Sequence, residues 1–189
     1  YFNTNDEDCR NIYRYSPQTK KFEKLNLETD VTSAFALSEN NPSIAAYIGQ
    51  SNHNAGVAYL YDMKKKTSRL LADPMKPILD EIELGKTEPW NFTASDGTTI
   101  QGMMCLPPNF DPNKKYPLIV YYYGGTTPTE RGISNPYCAQ LFASRDYVVY
   151  VINPSGTIGY GQEFSARHVN AWGKRTADDI IEGTKQFCK

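Results

Sequence analysis

The sequence lacks the features that would place it in a membrane, on nucleic acid or around a metal. Among its 189 residues there is no apolar run of about 18, the length that a membrane-spanning helix needs. A formal net charge of −1 gives no electrostatic basis for binding nucleic acid or an anionic membrane surface. The cysteines show no CxxC spacing, so we expect free thiols and no metal site. They are Cys9, Cys105, Cys138 and Cys188.

Motifs for a nucleophile and for a cofactor are also missing. No GxSxG, the turn that presents a serine nucleophile between a strand and a helix, occurs in the chain. Gly156, Gly159 and Gly161 follow a GxxGxG spacing, which differs from the GxGxxG of dinucleotide loops. The two histidines, His53 and His168, have no serine or cysteine partner in a recognisable setting, and we interpret both as structural. We therefore expect no organic cofactor.

Aromatic residues are plentiful instead, with 14 tyrosines and eight phenylalanines, and they favour strands. Residues 12–25 match residues 58–71 at an offset of 46, and each copy has two short alternating runs around a polar turn. This pattern predicts two β-hairpins, and residues 33–37 and 44–48 predict two more strands between them. Four short strands in roughly 40 to 50 residues are typical of a β-propeller blade. A small antiparallel meander is the alternative.

In the second half of the chain, predicted strands alternate with predicted helices. Residues 92–106 alternate around Asp96-Gly97, which is a strong hairpin turn. The apolar runs Tyr116–Tyr123 and Tyr147–Ile152 predict strands that are buried on both faces of a sheet. Such alternation calls for a parallel sheet with right-handed crossovers.

Two helices are predicted beside these strands. Asn135-Pro136 supplies a cap and a first-turn proline for the first helix. Its expected apolar side is formed by Tyr137, Cys138, Leu141 and Phe142. The second helix starts at Thr176–Asp179, which resembles a capping box. Its expected buried face, at a spacing of 3.6 residues, is formed by Ala177, Ile180, Ile181, Thr184, Phe187 and Cys188.

These patterns divide the chain into three predicted parts within the α/β fold class. Residues 1–75 are expected to be the last blade or blades of an antiparallel β-propeller, and residues 76–90 a connecting segment with one short helix. Residues 91–189 are expected to be the first half of an α/β-hydrolase domain, a parallel sheet with flanking helices. The first residue is Tyr1, and we expect the native amino terminus to lie upstream. The domain is expected to stop before its nucleophile turn.

The candidate catalytic residue is Tyr123. It begins a Tyr-Gly-Gly turn at the end of the first long predicted strand, where α/β-hydrolases place one half of the oxyanion hole. Gly124 and Gly125 allow the backbone to approach a reacting carbonyl closely, and a phenol there can donate a hydrogen bond to the oxyanion. An ordinary turn is the alternative. The glycine-rich residues 153–164 are interpreted as a structural loop beneath the active site, and Ser155 is not expected to be a nucleophile.

The order of several short motifs resembles the prolyl oligopeptidase family, and its dipeptidyl-peptidase branch more than its endopeptidase branch. The resemblance covers residues 90–189 well and the N-terminal part loosely. The motifs are Ser95-Asp-Gly-Thr-Thr-Ile100, Pro107-Pro-Asn-Phe-Asp-Pro-Asn-Lys-Lys-Tyr-Pro-Leu-Ile-Val120, Tyr123-Gly-Gly125, Asn153-Pro-Ser-Gly-Thr-Ile-Gly-Tyr-Gly161, Trp172-Gly173 and Asp178-Asp-Ile-Ile-Glu-Gly183. Many relatives have proline where this chain has Thr126.

The resemblance implies a serine peptidase in which a β-propeller caps an α/β-hydrolase domain with a Ser-Asp-His triad. Such enzymes cleave short peptides, often after Pro or Ala, and Tyr123 matches the tyrosine that lines the oxyanion hole in the dipeptidyl-peptidase branch. The triad would follow Lys189, so this segment alone is expected to be inactive. One alternative is a non-catalytic scaffold that binds peptides or a protein partner. Another is an independent binding module, whose exposed sheet edge would favour a homodimer.

Overall fold

The computed structural model describes residues 1–134 and 137–189, which form two compact units. The N-terminal unit consists of Tyr1–Ile82 and the described part of Glu130–Pro136. The C-terminal unit consists of Glu83–Thr129 and Tyr137–Lys189. Within the described ranges, no helix is long and apolar enough to cross a membrane.

The N-terminal unit is built on a seven-stranded sheet with the order β1-β2-β4-β5-β6-β7, in which β3 pairs with β2. All the pairs are antiparallel except for the single parallel bridge from Arg10 of β2 to Val31 of β4. A short helix, α1 (Lys76–Leu79), follows the sheet as predicted. The strands are β1 (Phe2–Asp6), β2 (Cys9–Ser16), β3 (Lys21–Lys24), β4 (Val31–Leu37), β5 (Ile44–Gln50), β6 (Val57–Asp62) and β7 (Thr67–Ala72).

The sequence repeat is also a repeat of structure. Each Cα pair of the β2–β3 hairpin maps onto a pair of the β6–β7 hairpin after the shift of 46 residues. Lys20 and Lys66, which align with each other, both have a left-handed φ of 55° in the hairpin turn. The predicted hairpins are therefore confirmed, with the same register. The matching pairs are Tyr13–Lys24 with Tyr59–Leu70, Arg14–Glu23 with Leu60–Arg69, Tyr15–Phe22 with Tyr61–Ser68, and Ser16–Lys21 with Asp62–Thr67.

Residues 130–134 pack on the strands of this N-terminal unit through charged side chains. Glu130 accepts two hydrogen bonds from the Arg10 guanidinium, both of 2.9 Å, and Arg131 pairs with Asp8 at 2.6 Å. The Arg131 amide also donates to the Asp8 carbonyl at 3.0 Å. These paired contacts hold the segment to β2 and to the loop between β1 and β2.

The C-terminal unit contains a five-stranded sheet with the order β11-β12-β10-β8, in which β9 pairs with β10. The strands β11 and β12 are parallel, as predicted, and the other pairs are antiparallel. The expected parallel sheet is thus a mixed sheet, because β10 enters it from a tight hairpin and needs no crossover helix. The strands are β8 (Thr87–Pro89), β9 (Phe92–Thr93), β10 (Thr99–Cys105), β11 (Leu118–Tyr121) and β12 (Val148–Asn153).

The two parallel strands differ in burial. All six residues of β12 are buried between β11 and β10. The predicted burial of Tyr147–Ile152 is thus confirmed except at Tyr147, which is exposed. By contrast, β11 is shorter than the predicted Tyr116–Tyr123, and its four residues are only half-buried. The reason is its position at the end of the described sheet, where it pairs only with β12.

The first predicted helix is shorter than expected. Asn135 and Pro136, the expected cap and first-turn proline, lie outside the described residues. Helix α2 spans Ala139–Ala143 and packs on the sheet through Ala139, Phe142 and Ala143. Tyr137 and Leu141, expected on the apolar side, are 60% and 61% exposed. The expected side is therefore confirmed at Phe142 and wrong at Tyr137 and Leu141, because one helical turn can bury only a single i, i+3, i+4 set.

Helix α4 (Lys174–Phe187) begins two residues before the predicted start, after a short helix α3 (Gln162–Ser165) and a 3-10 turn (Ala166–His168). Ile180 and Phe187 of its expected face pack against the core as predicted, whereas Ala177 and Ile181 are exposed. Its buried residues are Thr176, Asp179 and Gly183. Gly183 is buried because the Phe92 ring lies 2.7 Å from the position that a Cβ would take. All four cysteines are free as predicted, but Cys188 is exposed at the helix end, not buried.

Candidate active site

The Tyr123 side chain projects from the end of β11 and is 64% exposed. The chain turns immediately after it, since Gly124 has a left-handed φ of 77°. A Cβ on Gly125 would lie 2.5 Å from Cε1 and 3.0 Å from Cδ1 of the Tyr123 ring. The ring therefore rests on the backbone of Gly125, in space that only glycine leaves free.

Two loops emerge at the same edge of the sheet, because β11 and β12 are parallel. We call residues 123–129 the Tyr123 loop and residues 153–161 the glycine loop. Asn153, which is 4% exposed, joins them. Its Oδ1 accepts a hydrogen bond from the Thr129 amide at 2.8 Å, and its Nδ2 donates to the Thr129 carbonyl at 3.2 Å. Nδ2 also donates to the Tyr160 hydroxyl at 2.9 Å.

A second hydrogen bond connects these loops nearer to Tyr123. The Ile158 amide donates to the Thr126 carbonyl at 2.8 Å. The acceptor is the backbone carbonyl of residue 126, so this bond needs nothing from the threonine side chain. The Tyr123 loop is thus attached to the glycine loop at its middle and at its end.

The glycine loop is fixed in turn by helix α4. The Ser155 amide donates to the Asp179 carboxylate at 2.8 Å, and the Thr176 hydroxyl donates to the Ser155 carbonyl at 3.2 Å. Arg167 donates to the Ser155 hydroxyl at 3.1 Å. The predicted capping box is therefore wrong, because Thr176 and Asp179 bind this loop from inside the helix. Ser155 is 1% exposed, consistent with a structural residue.

The two histidines lie in different settings. His53 is exposed in a surface turn, in which its amide donates to the Ser51 hydroxyl at 3.2 Å. His168 stacks on Trp172 with ring centroids 4.6 Å apart, and its imidazole occupies the position that a Cβ on Gly156 would take. Its buried Nε2 has no hydrogen-bond partner within the described residues. Trp172, predicted as a packing anchor, is 67% exposed.

The site as a whole supplies a hydrogen-bond donor beside glycine backbone, at the carboxyl edge of a sheet. No cluster of three or more His, Cys, Asp or Glu side chains in residues 1–134 and 137–189 is placed to hold a metal. Sequence reasoning selected Tyr123 but missed Asn153, Arg167 and Asp179. Asn153 carried a signal, because it is the one polar residue at the end of an otherwise apolar strand.

The fold and these loops define an α/β protein whose candidate site lies where parallel strands end. The model of the prolyl oligopeptidase family matches residues 134–189, which include the glycine loop and α4. The chain is 40% identical over 86 residues to a "Probable dipeptidyl-peptidase 5" of Aspergillus terreus, an alignment that covers 45% of this chain and 12% of that protein. It is 28% identical over 132 residues to the dipeptidyl-peptidase 5 of Porphyromonas gingivalis, covering 69% of this chain and 19% of that protein.

Among solved structures, the chain is similar to the acylaminoacyl peptidase of Pyrococcus horikoshii, with a TM-score of 0.84. The identity is 22%, and the match covers 99% of this chain and 28% of that one. The chain thus spans less than a third of the length of each of these proteins. The resemblance to the prolyl oligopeptidase family, and to its dipeptidyl-peptidases, is confirmed.

Proposed function

We propose that this chain is part of a serine peptidase that hydrolyses short peptides through an acyl-enzyme. The observation that carries the proposal is the Tyr123 phenol, exposed at the end of β11 beside a glycine backbone. The relatives support it, since they are named as dipeptidyl and acylaminoacyl peptidases. Release of dipeptides by cleavage of short peptides after Pro or Ala is the specificity that the family resemblance favours.

In the proposed mechanism, Tyr123 stabilises the oxyanion. A serine Oγ attacks the scissile carbonyl carbon, the carbonyl π electrons move onto oxygen, and a histidine takes the serine proton. The Tyr123 hydroxyl donates a hydrogen bond to the new oxyanion, which is worth about 3 kcal/mol of barrier. Collapse expels the amine, which takes the proton from histidine, and water then cleaves the acyl-enzyme. We place the serine, aspartate and histidine after Lys189, so that this chain is inactive alone.

We further propose that the N-terminal unit is the end of a β-propeller. The strands β4 to β7 form a four-stranded antiparallel meander, the arrangement of one blade, and β1 to β3 would belong to the blade before it. The repeated hairpin register supports this interpretation. The division into residues 1–75, 76–90 and 91–189 is supported by the boundary between the units, because Ile82 and Glu83 lie inside the proposed connecting segment.

Labelling of the full-length protein with a phosphonofluoridate tests the proposal. We expect one labelled serine downstream of Lys189 and release of dipeptides from chromogenic substrates. Tyr123→Phe should lower kcat by about a hundredfold or more while KM stays nearly unchanged, since the hydroxyl acts only on the oxyanion. A folded protein that neither labels nor hydrolyses any peptide would favour the non-catalytic scaffold.

A further inference from the structure

Asn153 binds the backbone of the Tyr123 loop through both polar atoms of its side-chain amide. The oxygen and the nitrogen of this amide both bond to the backbone of one residue, Thr129. Both residues are buried: Asn153 is 4% exposed and Thr129 is 6% exposed. Buried amides lose their hydrogen bonds to water, so each of these groups needs a partner in the protein. Only a carboxamide offers a donor and an acceptor in this arrangement.

The position of Asn153 makes it rigid. It is the last residue of β12, the central buried strand, and its backbone pairs with Gln101 of β10. The residues that follow are held to α4 through Ser155 and Asp179. Asn153 is therefore held by the sheet before it and by α4 after it, and its side-chain amide fixes the position of Thr129.

The Tyr123 loop, in contrast, has little support of its own. Tyr123 is mostly exposed, and Thr126 and Thr127 are also exposed, whereas Pro128 and Thr129 are buried. Between the end of β11 and Thr129, the loop backbone accepts a hydrogen bond at Thr126, from the Ile158 amide. The far end of the loop is thus defined by Asn153.

We propose that Asn153 is a positioning residue for Tyr123: by binding both backbone polar groups of Thr129, it holds the loop so that the phenol stays where the oxyanion forms. The inference rests on the proposed peptidase function. Asn153 touches no reacting atom in this scheme and acts through the loop alone.

Asn153→Asp in the full-length protein is the central test. The aspartate keeps the size of asparagine and can still accept from the Thr129 amide, but it places a second acceptor against the Thr129 carbonyl. We expect kcat to fall by about tenfold to a hundredfold with KM nearly unchanged, as for a misplacement of about 1 Å. In a Tyr123→Phe background the same substitution should have almost no further effect, because the group it positions is gone.

Two other variants separate positioning from general damage. Val151→Ala weakens the same strand through a side chain that packs against Val149 and Ala143, and it should leave kcat unchanged. Tyr160→Phe removes one acceptor of the Asn153 amide, keeps the ring against Phe164, and should lower kcat by a smaller factor. If Asn153→Asp does not fold, Tyr160→Phe tests whether Asn153 positions the Tyr123 loop.

Hydrogen–deuterium exchange reads the loop without relying on activity. In Asn153→Asp, peptides that cover residues 123–129 should exchange faster than in the wild type, and in Val151→Ala they should not. The inference is overturned by unchanged exchange there, or by a kcat loss of equal factor with and without the Tyr123 hydroxyl. A wild-type protein that hydrolyses nothing would refute the proposed function, and the exchange experiment would still decide whether Asn153 holds the loop.

Discussion

Gly125→Ala should lower activity without lowering stability, because its methyl group meets the Tyr123 ring and little else. The new Cβ would lie 2.5 Å from Cε1 of Tyr123, and all three nearest atoms belong to this ring. Ordinary carbon contacts are about 3.5 to 4 Å, so the ring must move by about 1 Å. The φ of Gly125 is not left-handed, so alanine adds no strain of that kind.

The expected magnitude follows from the geometry of a hydrogen bond. A bond of about 2.8 Å that is lengthened by about 1 Å is no longer a hydrogen bond. Losing one oxyanion donor raises the barrier by about 3 kcal/mol, which is a factor of about a hundred in kcat. The free energy of unfolding should stay equal or rise by about 0.4 to 1 kcal/mol, since alanine restricts the unfolded chain more than glycine does.

The assay is steady-state hydrolysis of a chromogenic dipeptide substrate by the full-length protein, together with urea unfolding. Gly132→Ala is the matched control: its Cβ would lie 2.7 Å from Cδ of Gln50, another flexible side chain, and its φ is not left-handed either. It should leave kcat unchanged. The reasoning fails if Gly125→Ala keeps wild-type kcat, or if it lowers kcat by the same factor when Tyr123 is already phenylalanine.

Three further predictions concern stability. Gly156→Ala should destabilise the protein by about 2 kcal/mol or more in a thermal unfolding assay, because it combines a left-handed φ of 98° with a collision against the His168 ring. Gly161→Ala is the control: its φ is 95°, but nothing lies within 4 Å of its Cβ position, so it should destabilise the protein less. Glu130→Gln should lower the urea midpoint by an amount equivalent to about 1 kcal/mol, since it removes the charge that faces Arg10. The control, Glu39→Gln at an exposed position, should not change the midpoint measurably. The Lys24 ammonium, with the Tyr13 hydroxyl and the Asn11 amide, lowers the pKa of Asp6 against the opposing effect of burial. This carboxylate therefore stabilises the fold above its unfolded pKa of about 4, and the stabilisation is lost as pH falls through the lower folded pKa. In Asp6→Asn, the free energy of unfolding should fall less steeply on acidification than in the wild type.

The strands were predictable where local pattern and tertiary environment agree. The hairpins of the N-terminal unit follow from alternating aromatic residues and polar turns, and both copies share their register and their left-handed lysine. The parallel pair was likewise predictable from two apolar runs with a helical segment between them. In these elements the pattern of side chains within about ten residues is enough to define the structure.

The helices were harder, because their buried faces depend on distant partners. Periodicity of apolar residues correctly placed Ile180 and Phe187 against the core, but it also placed Ile181 there. It did not show that α4 turns Thr176, Asp179 and Gly183 inwards. Thr176 and Asp179 are buried because Ser155 offers them a carbonyl and an amide, and Gly183 because Phe92 and Tyr150 fill its side-chain space. Apolar periodicity cannot report the part of a helix face that is selected by hydrogen bonds and by close packing.

The candidate site shows the same division between local and distant causes. Tyr123 could be selected from the sequence because its strand, its turn and its two glycines are adjacent in the chain. Asn153, which holds its loop, lies 24 positions beyond its partner Thr129. Ser155 and Asp179, which fix the glycine loop to α4, are also 24 positions apart. A buried polar side chain at the carboxyl end of a strand must find a partner, and at this edge of the sheet the neighbouring loop is the nearest backbone that can supply one. Polar residues that directly follow fully apolar strands are therefore the positions from which loop-supporting residues can be sought in a sequence of this kind.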